Sequence, residues 1–296
     1  MKVITTKAEL QELTLSFKQQ QKTIGFVPTM GFLHEGHRAL LKEARKENDI
    51  LILSVFVNPL QFGPNEDLDS YPRDIEQDKL TAKNEGVDFL FMPATEEMYP
   101  SSPSVTVHVQ KRADVLCGRT RPGHFDGVAT VLTKLFHLVQ PDNVYFGKKD
   151  AQQVAVVDGL IQDFHFPITL HAVQTVREED GLAKSSRNVK LSLNERQEAG
   201  ILYQTLSMAR EELIKGNHDA QAITDSLSKR IESSTSGKVD YLEILTYPEL
   251  QEPSQWEGSF IIAVAVRFNN ARLIDNIIFD LNEMVSGKGA STCSEQ

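Results

Sequence analysis

Two histidines stand three residues apart in a segment suited to binding phosphate. His34 and His37 lie within the run Pro28–His37, and at the start of a helix this spacing places both side chains on one face. A helix N-terminus favours phosphate through its backbone N–H groups and its dipole. Imidazoles, in turn, donate hydrogen bonds to charge that grows in a transition state. Gly36 lacks a side chain, which we expect to let a base or a phosphate approach the backbone. The segment therefore predicts a nucleotide-binding site.

Two other interpretations of the histidine pair stay open at this point. The imidazoles are also compatible with simple capping of a helix. Zinc would need a third and a fourth ligand, and neither an HExxH pattern nor a cysteine pair supplies them. The position of the pair after the first predicted strand favours a nucleotide, because ligands of open α/β sheets bind at the carboxyl ends of the strands. We therefore assign no metal-ligating residue.

Strand and helix patterns alternate through the first part of the chain. Apolar runs of strand length predict strands, and apolar residues at helical spacing predict helices. The predicted strands are Thr23–Val27, Ile50–Val57, Val87–Met92, Val105–Val109, Asn143–Phe146 and Ile168–Val176, and the predicted helices are Glu35–Lys46, Asp74–Asn84, Val128–Val139 and Ala151–Phe164. This alternation predicts an α/β fold with a Rossmann-like, doubly wound parallel sheet and helices on both of its faces.

The pattern changes after Val176. Residues 177–188 are polar and lack periodicity, which indicates a loop or linker. A capping box at Ser192–Glu195 predicts a helix that runs to about Lys215. A second helix is predicted over Ala220–Ile231, and three strands follow at Tyr241–Leu245, Phe260–Phe268 and Leu273–Phe279. A hairpin turn at Asn269-Asn270 joins the last two strands. We predict a first domain over 1–176, a smaller C-terminal α+β lid domain over 177–283 and a disordered tail over 284–296.

The composition limits the partners and the compartment. Lys and Arg total 31 and Asp and Glu total 41, a formal charge of −10 over 296 residues. Nucleic-acid-binding proteins normally carry a basic face, so we expect no nucleic-acid partner. Two cysteines, Cys117 and Cys293, are too few for a disulfide framework and indicate a reducing, cytoplasmic compartment. Neither a membrane-spanning run nor a signal peptide is evident, so we expect no membrane partner.

Six blocks of the chain resemble the motifs of one enzyme family. His34-Glu35-Gly36-His37 resembles the HxGH signature of the nucleotidyltransferase superfamily. The longer string PTMGFLHEGH resembles that of the pantothenate synthetase (pantoate–β-alanine ligase) family. The other five blocks follow in family order: Asn58–Phe62, Arg121–Phe125, Phe146–Gln153, Ser185–Asn188 and Asn269–Asn276. One block alone would be a weak signal, but six in order are specific.

The resemblance implies a two-step ligase reaction. In this family pantoate and ATP form pantoyl adenylate and pyrophosphate, and the amine of β-alanine then attacks the adenylate to give pantothenate and AMP. The first step brings a carboxylate against a phosphate, so the enzyme must supply positive charge and orientation rather than a strong nucleophile. The resemblance also implies ATP bound with Mg²⁺ and a homodimer formed through the first domain.

The resemblance implies that most of the candidate site residues bind ATP. The resemblance makes His37 the proton donor, with His34 and Lys149 as the other catalytic residues. The ATP-binding residues that it implies are Met30, Gly31, Phe32, Leu33, His34, Glu35, Gly36, His37, Gly147, Lys148, Lys149, Asp150, Val176, Lys184, Ser185, Ser186 and Arg187. Hydroxyl and guanidinium groups are good donors to phosphate. A mobile loop that carries them would also exclude water from an acyl adenylate.

Two glutamines are implied to bind pantoate and β-alanine. The neutral amides of Gln61 and Gln153 can donate and accept hydrogen bonds at once, although a loop amide such as Gln61 often bonds only to backbone. Arg121 and His124 are weaker candidates in a basic loop that faces substrate or a neighbouring subunit. Asp78 is a possible outer ligand of Mg²⁺, but an exposed helical aspartate is the simpler interpretation.

Two positions depart from the family pattern. Lys148 stands where the family usually has Glu, and Lys184 where Met or Leu is common. Both add positive charge beside a triphosphate, and we expect activity to be kept because Lys149 and the Ser185–Arg187 run remain. The cations of these segments predict a basic pocket in an acidic chain: Arg121, Lys148, Lys149, Arg177, Lys184 and Arg187.

Three other functions compete with the ligase. The first is another HxGH nucleotidyltransferase, which would transfer AMP to a phosphorylated acceptor; Gln61, Gln153 and the second domain favour the ligase over it. The second is a relative of the tRNA-binding synthetases, which the charge of −10 disfavours. The third is a nucleotide sensor without catalysis, which the intact His34, His37 and Lys149 disfavour.

Overall fold

The computed structural model describes residues 1–64, 66 and 68–282. The chain divides into two compact units. The first consists of residues 1–114, 118–148 and 156–176, and the second of residues 115–117, 149–155 and those from 177 onward. The domain limits of 1–176 and 177–283 stay a prediction, and the tail predicted over 284–296 lies outside the described residues.

A sheet of six parallel strands forms the centre of the first unit, in the order β1-β4-β3-β2-β5-β6. The strands are β1 Lys2–Ile4, β2 Ile24–Thr29, β3 Ile50–Val55, β4 Phe89–Phe91, β5 Asn143–Gly147 and β6 Thr169–Val173. This topology confirms the predicted fold class. Because β2 lies between β3 and β5, its carboxyl end is the switch point at which ligands of such sheets bind.

Within the described ranges, seven α-helices alternate with the strands before β6. They are α1 Lys7–Gln19, α2 Glu35–Glu47, α3 Ile75–Asn84, α4 Thr95–Met98, α5 Leu116–Thr120, α6 His124–Val139 and α7 Ala151–Asp163. The apolar face of α2, formed by Leu40, Leu41 and Ala44, is buried in one cluster with Leu51 and Leu53 of β3. The continuous apolar run of β3 is explained by this burial, since a central parallel strand has both faces covered.

The prediction of a strand over Val105–Val109 is wrong. Val105 is 82% exposed, and the neighbouring amides bond to side chains of α6 instead of to a strand. Val107 N donates to Thr130 Oγ1 at 2.9 Å, and Val109 N donates to Asp126 Oδ1 at 2.8 Å. The alternation of valines therefore comes from an extended segment held by a helix. Further differences concern α6, which begins at His124 and not at Val128, and β1, α1, α4 and α5, which were not predicted.

The second unit contains a three-stranded antiparallel sheet in the order β7-β8-β9. Its elements are α8 Leu193–Glu198, α9 Ile201–Ile214, α10 Ala220–Ser234, β7 Lys238–Thr246, β8 Ser259–Arg267 and β9 Arg272–Asp280. Leu206 of α9 and Ile231 of α10 are buried in one core with Ile262 and Val264 of β8. The small α+β architecture predicted for this part of the chain is confirmed.

Local signals were accurate in the second unit, except for one helix. The capping box forms as predicted between Ser192 and Glu195, and β8 and β9 pair across the predicted turn. The single helix predicted up to Lys215 is wrong, because it is interrupted between α8 and α9. Gly200 weakens the helix at that point, and a Cβ there would lie 3.2 Å from the carbonyl oxygen of Asp180.

None of the helices in the described ranges is both long and apolar enough to cross a membrane.

Candidate active site

The loop after β2 needs a glycine at position 31. Gly31 has φ +86°, a left-handed conformation that other residues adopt only with strain. A Cβ there would also lie 2.8 Å from Asp78 Oδ2 and 2.9 Å from Val55 Cγ1. The Gly31 amide donates to Thr29 Oγ1 at 3.2 Å, and Thr29 Oγ1 donates to the carbonyl of Ser54 on β3 at 2.8 Å. The end of β2 and the start of the loop are therefore firmly positioned.

Asp78 of α3 holds the next two residues of the loop. Its Oδ2 accepts from the amide of Phe32 at 2.9 Å, and its Oδ1 accepts from the amide of Leu33 at 2.7 Å. The residue is only 2% exposed, so its interpretation as an exposed helical aspartate was wrong. Burial raises the pKa of this carboxyl, and the two amide bonds act in the opposite direction. Asp78 thus fixes the backbone that leads to His34.

His34 and His37 cap α2 with their Nδ1 atoms. His34 Nδ1 accepts from the Gly36 amide at 3.1 Å, and His37 Nδ1 accepts from the His34 amide at 3.2 Å. This is a capping box built from two histidines. In a neutral imidazole whose Nδ1 accepts, the proton lies on Nε2. The capping interpretation and the phosphate interpretation are therefore compatible, because each ring caps the helix with one nitrogen and keeps an N–H donor on the other.

Gly36 has a different role from the one that its position suggested. A Cβ at Gly36 would lie 2.8 Å from Cε1 and 2.9 Å from Nδ1 of His34. The position that a Cβ would take at Gly36 is therefore occupied by the His34 ring, and the ATP contact expected at this glycine stays a prediction. The two imidazole rings lie 4.1 Å apart between centroids. Gly36 therefore makes room for the His34 ring beside that of His37 at the start of α2.

Gln61 is joined to the loop of the histidines through Met30. It ends a 3₁₀ turn, Pro59–Gln61, that follows β3, and its Nε2 donates to Met30 Sδ at 3.2 Å. Its Oε1 accepts from Asn58 Nδ2 at 3.2 Å, and Asn58 Oδ1 in turn accepts from Tyr99 Oη at 2.9 Å. Gln61 is 8% exposed. Both polar atoms of its amide bond to side chains, which orient Gln61 beside Met30, and each atom can make one further hydrogen bond.

Arg121 and His124 support Gln61 from the backbone side. His124 Nδ1 donates to the Gln61 carbonyl at 2.8 Å, and Arg121 Nη1 donates to His124 Nε2 at 3.0 Å. Arg121 also forms two hydrogen bonds with the carboxylate of Glu66, one of them from Nε to Oε1 at 2.8 Å. Burial acts to raise the pKa of Glu66, but the bond and charge of Arg121 lower it overall. Within this unit, both candidates therefore hold a loop in place.

The Glu66 pair predicts a pH-dependent contribution to stability. A carboxyl whose pKa is depressed by folding stabilises the protein above its unfolded pKa, and that contribution is lost as the pH falls through the folded pKa. We expect Glu66→Gln to lower the free energy of unfolding at pH 7 by about 1 to 2 kcal/mol, with a difference that shrinks as the pH drops below 4.5, the ordinary pKa of the group. Urea unfolding at several pH values measures this. The matched control is Glu12→Gln on the exposed side of α1, and an equal loss at pH 3 and pH 7 would contradict the prediction.

The FGKKD block surrounds the end of β5. Gly147 is the last residue of that strand, and a Cβ there would meet nothing within 4 Å, so protein packing does not explain this glycine. Residues Lys148–Asp150 form a 3₁₀ turn. Within the second unit, Lys149 Nζ lies 3.3 Å from Asp150 Oδ1. Gln153 is half-buried on α7.

Gln152 has a clear structural partner. Its Oε1 accepts from the Cys117 amide at 3.0 Å, and its Nε2 donates to the Val115 carbonyl at 2.8 Å. The first glutamine of the Gln152-Gln153 pair therefore fastens the segment 115–117, and the ligand role of Gln153 stays a prediction.

The segment predicted as a loop or linker over 177–188 is ordered by its own contacts. Arg177 and Ala183 form an isolated β-bridge, and Ser186–Lys190 is a 3₁₀ helix capped by the Ser185 hydroxyl, which accepts from the Arg187 amide at 3.2 Å. Ser186 is buried at 7% exposure. Val176 lies three residues beyond the end of β6 and not at the end of the strand as expected.

Several of the six cations assigned to the predicted basic pocket have a carboxylate partner within their own unit. Among the described residues at least four of them are paired with carboxylates: Arg121 with Glu66, Arg177 with Asp275 and Lys184 with Glu178 at 2.5 to 2.7 Å, and Lys149 with Asp150 at 3.3 Å. Each of these pairs carries no net charge. The sequence shows where the cations lie but not which carboxylates neutralise them, since the Arg177 and Asp275 partners are 98 residues apart.

Five supporting residues were not identified from the sequence: Asp78 as an anchor of the loop, Tyr99, Glu66 and the Asp275-Asn276 pair. Asp78 had a usable signal, because it shares the buried face of α3 with Thr81 and Ala82 at helical spacing. An acidic residue on the inward face of a helix indicates a buried partner.

The fold and the loop define the class of this protein before any comparison. It is an α/β protein of Rossmann-like topology, with a His-x-Gly-His loop at the switch point of its parallel sheet. The model of a family described as pantoate-beta-alanine ligase matches residues 2–278. The chain therefore belongs to the pantoate–β-alanine ligase family, as its motifs predicted.

Similar proteins agree with this assignment. The chain is 61% identical over 280 residues to a pantothenate synthetase from Geobacillus sp. (strain WCH70), covering 94% of this chain and 99% of that one. Among solved structures it is 45% identical to pantothenate synthetase from Thermus thermophilus, with a TM-score of 0.87 and coverage of 94% and 99%. Another is the pantoate-beta-alanine ligase from Francisella tularensis complexed with beta-gamma ATP and beta-alanine, at 33% identity, a TM-score of 0.80 and coverage of 95% and 98%.

Proposed function

We propose that this protein is a pantoate–β-alanine ligase that joins (R)-pantoate and β-alanine at the expense of ATP. The observation that carries the proposal is the family match over residues 2–278, together with 61% identity to a pantothenate synthetase. The Francisella relative complexed with beta-gamma ATP and beta-alanine supports two of the three substrates. The paired Nε2–H donors at the switch point provide the chemistry that such a reaction requires.

In the first step, a carboxylate oxygen of pantoate attacks the α-phosphorus of ATP. The new O–P bond replaces the bond to the bridging oxygen, and pyrophosphate leaves with that electron pair. Negative charge accumulates on the phosphate oxygens, so the step is accelerated by donors already in place. His37 and His34 supply Nε2–H groups, and Lys149 supplies an ammonium. Asp78 keeps the loop of the two histidines rigid, so the donors need not reorganise during the reaction.

In the second step, the amine of β-alanine attacks the acyl carbon of pantoyl adenylate. An amide bond forms, the acyl C–O bond to AMP breaks, and the nitrogen loses a proton. Gln61 and Gln153 bind pantoate through amides that both donate and accept. The Ser185–Arg187 segment, with Lys184, donates to the outer phosphates of ATP, while Val176 contacts the nucleotide through its backbone. Gly147, at the end of β5, gives the nucleotide access to the backbone. Lys148 and Asp150 flank Lys149 in the turn that follows this strand.

The remaining ATP contacts come from the first loop, over Met30 to His37. Mg²⁺ belongs to the substrate as MgATP, since it bridges phosphate oxygens and keeps most of its ligands as water. The proposal also includes a homodimer formed through the first domain, which the family motifs imply, and a cytoplasmic location, which the presence of only two cysteines favours. Among the described residues, no group of three or more His, Cys, Asp or Glu side chains is arranged to hold a metal.

The two departures from the family pattern should have small effects. Lys184 is paired with Glu178 at 2.7 Å, so its charge is already balanced, and Lys148 has Lys149 beside it to carry the phosphate contact. We expect Lys148→Glu and Lys184→Met each to change the affinity for ATP by less than tenfold, a difference of under about 1.4 kcal/mol. Titration calorimetry with ATP measures this, and a larger change in either variant would show that the position has become essential.

Product analysis tests the proposed reaction. Purified protein is incubated with MgATP, pantoate and β-alanine, and the nucleotides and the acid products are separated by chromatography. The ligase is expected to form AMP, pyrophosphate and pantothenate in equal amounts. ADP as the nucleotide product, or ATP consumption that does not depend on pantoate, would reject the proposal. AMP attached to a phosphorylated acceptor would instead indicate the alternative nucleotidyltransferase.

A further inference from the structure

The Asn269–Asn276 block has no part in the proposed chemistry, although it is one of the six family motifs. It forms the turn of the β8-β9 hairpin and the first half of β9. Asp275 is 2% exposed and Asn276 is 7% exposed, so both are polar residues buried within the second unit. Buried polar groups are normally fully bonded, which raises the question of what these two side chains hold.

The side chain of Asn276 holds the backbone of Lys149. Asn276 Nδ2 donates to the Lys149 carbonyl at 2.8 Å, across 127 residues of sequence. This carbonyl lies in the turn Lys148–Asp150, which precedes α7. The bond is therefore made at the residue whose side chain is proposed to contact phosphate, and it constrains where that side chain starts.

Asp275 orients Asn276 and is itself held by Arg177. Asp275 Oδ1 accepts from the backbone N–H of Asn276 at 2.7 Å. Arg177 forms two parallel hydrogen bonds to this carboxylate, Nη1 to Oδ2 at 2.6 Å and Nη2 to Oδ1 at 2.9 Å. The bidentate geometry is the strong form of this pair. Arg177 Nη2 also donates to the Asn276 carbonyl at 3.3 Å.

Arg177 in turn is fixed by its surroundings. Its guanidinium lies 3.8 Å from the centre of the Tyr203 ring, within the range of a cation–π contact, and its Nη1 donates to the Gly181 carbonyl at 2.9 Å. Gly181 has φ +91°, and a Cβ there would lie 2.7 Å from Tyr203 Cδ1. Arg177, Asp275 and Asn276 thus form a continuous, rigid chain of contacts that ends at Lys149.

We propose that Asn276 is a positioning residue for Lys149, kept in place by Asp275 and Arg177. This inference rests on the proposed function, in which Lys149 contacts the phosphates of ATP. It assigns to Asn276 of the last family motif a role in nucleotide binding, through the backbone of another residue and without direct contact with the nucleotide.

The test is a double-mutant cycle measured by binding of a non-hydrolysable ATP analogue. Asn276→Asp keeps the shape of the side chain but faces the Lys149 carbonyl with an acceptor in place of a donor. We expect Asn276→Asp to weaken analogue binding at least tenfold when Lys149 is present. In the Lys149→Gln background we expect a loss of less than threefold, because the ammonium that Asn276 would position is already absent. The matched control is Asn270→Asp, at an exposed position of the same hairpin, which should bind as the wild type does.

Three results would overturn this inference, and they separate it from the proposed function. Equal losses in the two backgrounds would show that Asn276 acts independently of Lys149. A loss accompanied by a proportional fall in the thermal midpoint of both Asn276→Asp variants would show a general folding role. Normal binding by Asn276→Asp would reject the inference while leaving the ligase intact. If the wild type itself fails to bind the analogue, the proposed function fails as well.

Discussion

Replacement of His37 with alanine is expected to lower turnover by about 100- to 1,000-fold, the usual cost of removing one preorganised donor to a charged transition state. The expectation follows from the tautomer. His37 Nδ1 is occupied as an acceptor for the His34 amide, so the proton lies on Nε2, where it can be donated to the α-phosphate or to the departing pyrophosphate. Steady-state kinetics with saturating MgATP, pantoate and β-alanine measure the effect.

A glutamine at the same position separates catalysis from capping. Because glutamine is a normal third residue of a capping box, His37→Gln can keep the bond to the His34 amide while it removes the imidazole. His37→Ala loses both, and we expect it to be less stable than His37→Gln by about 0.5 to 1.5 kcal/mol, the net value of one hydrogen bond. Both variants should be equally inactive. Near-normal turnover in His37→Gln would assign His37 to the helix cap alone.

Removal of the charge at Lys149 is expected to have the second large effect. Its side chain is 17% exposed and lies near Asp150, and Asn276 fixes its carbonyl, so the ammonium extends from a well-defined turn. We expect Lys149→Gln to lower kcat/KM for ATP by about 100-fold, because the amide retains a donor but not the charge that offsets repulsion between carboxylate and phosphate. Initial rates over a range of ATP concentrations give this value.

The control for Lys149 is the same substitution on an exposed helix. Lys229→Gln on α10 alters the net charge equally, at an exposed position, and should leave kcat/KM unchanged. A loss of less than threefold in Lys149→Gln would exclude the ammonium from the adenylation step. Equal losses in both variants would show that net charge, not position, determines the rate.

Local patterns were enough to predict the part of the molecule that carries the histidines. The run of β2, the helical spacing of α2 and the carboxyl-end rule together place His34 and His37 at the switch point. Each of these signals lies within one short segment, and the capping box at Ser192–Glu195 was accurate for the same reason. The family motifs extended this local information to Gln61, Lys149 and the loop at Ser185.

Contacts between distant segments could not be predicted in this way. Asp78 bonds to the amide of Phe32 across 46 residues, and nothing near Asp78 in the sequence points to that partner. The surroundings of Gly36 also depend on the orientation of the His34 side chain, because its ring occupies the position that a Cβ at Gly36 would take. The valines at 105–109 alternate as a strand would, but their amides bond to a helix, because side-chain acceptors there replace a strand partner.

Exchange of labelled pyrophosphate into ATP tests the central claim most directly, because it isolates the adenylation step. The protein is incubated with MgATP, labelled pyrophosphate and pantoate, in the absence of β-alanine. A ligase that forms pantoyl adenylate must transfer label into ATP in the presence of pantoate and not in its absence, and His37→Gln should lose this exchange. Exchange that proceeds equally without pantoate, or no exchange under conditions in which pantothenate is made, would contradict an acyl-adenylate mechanism.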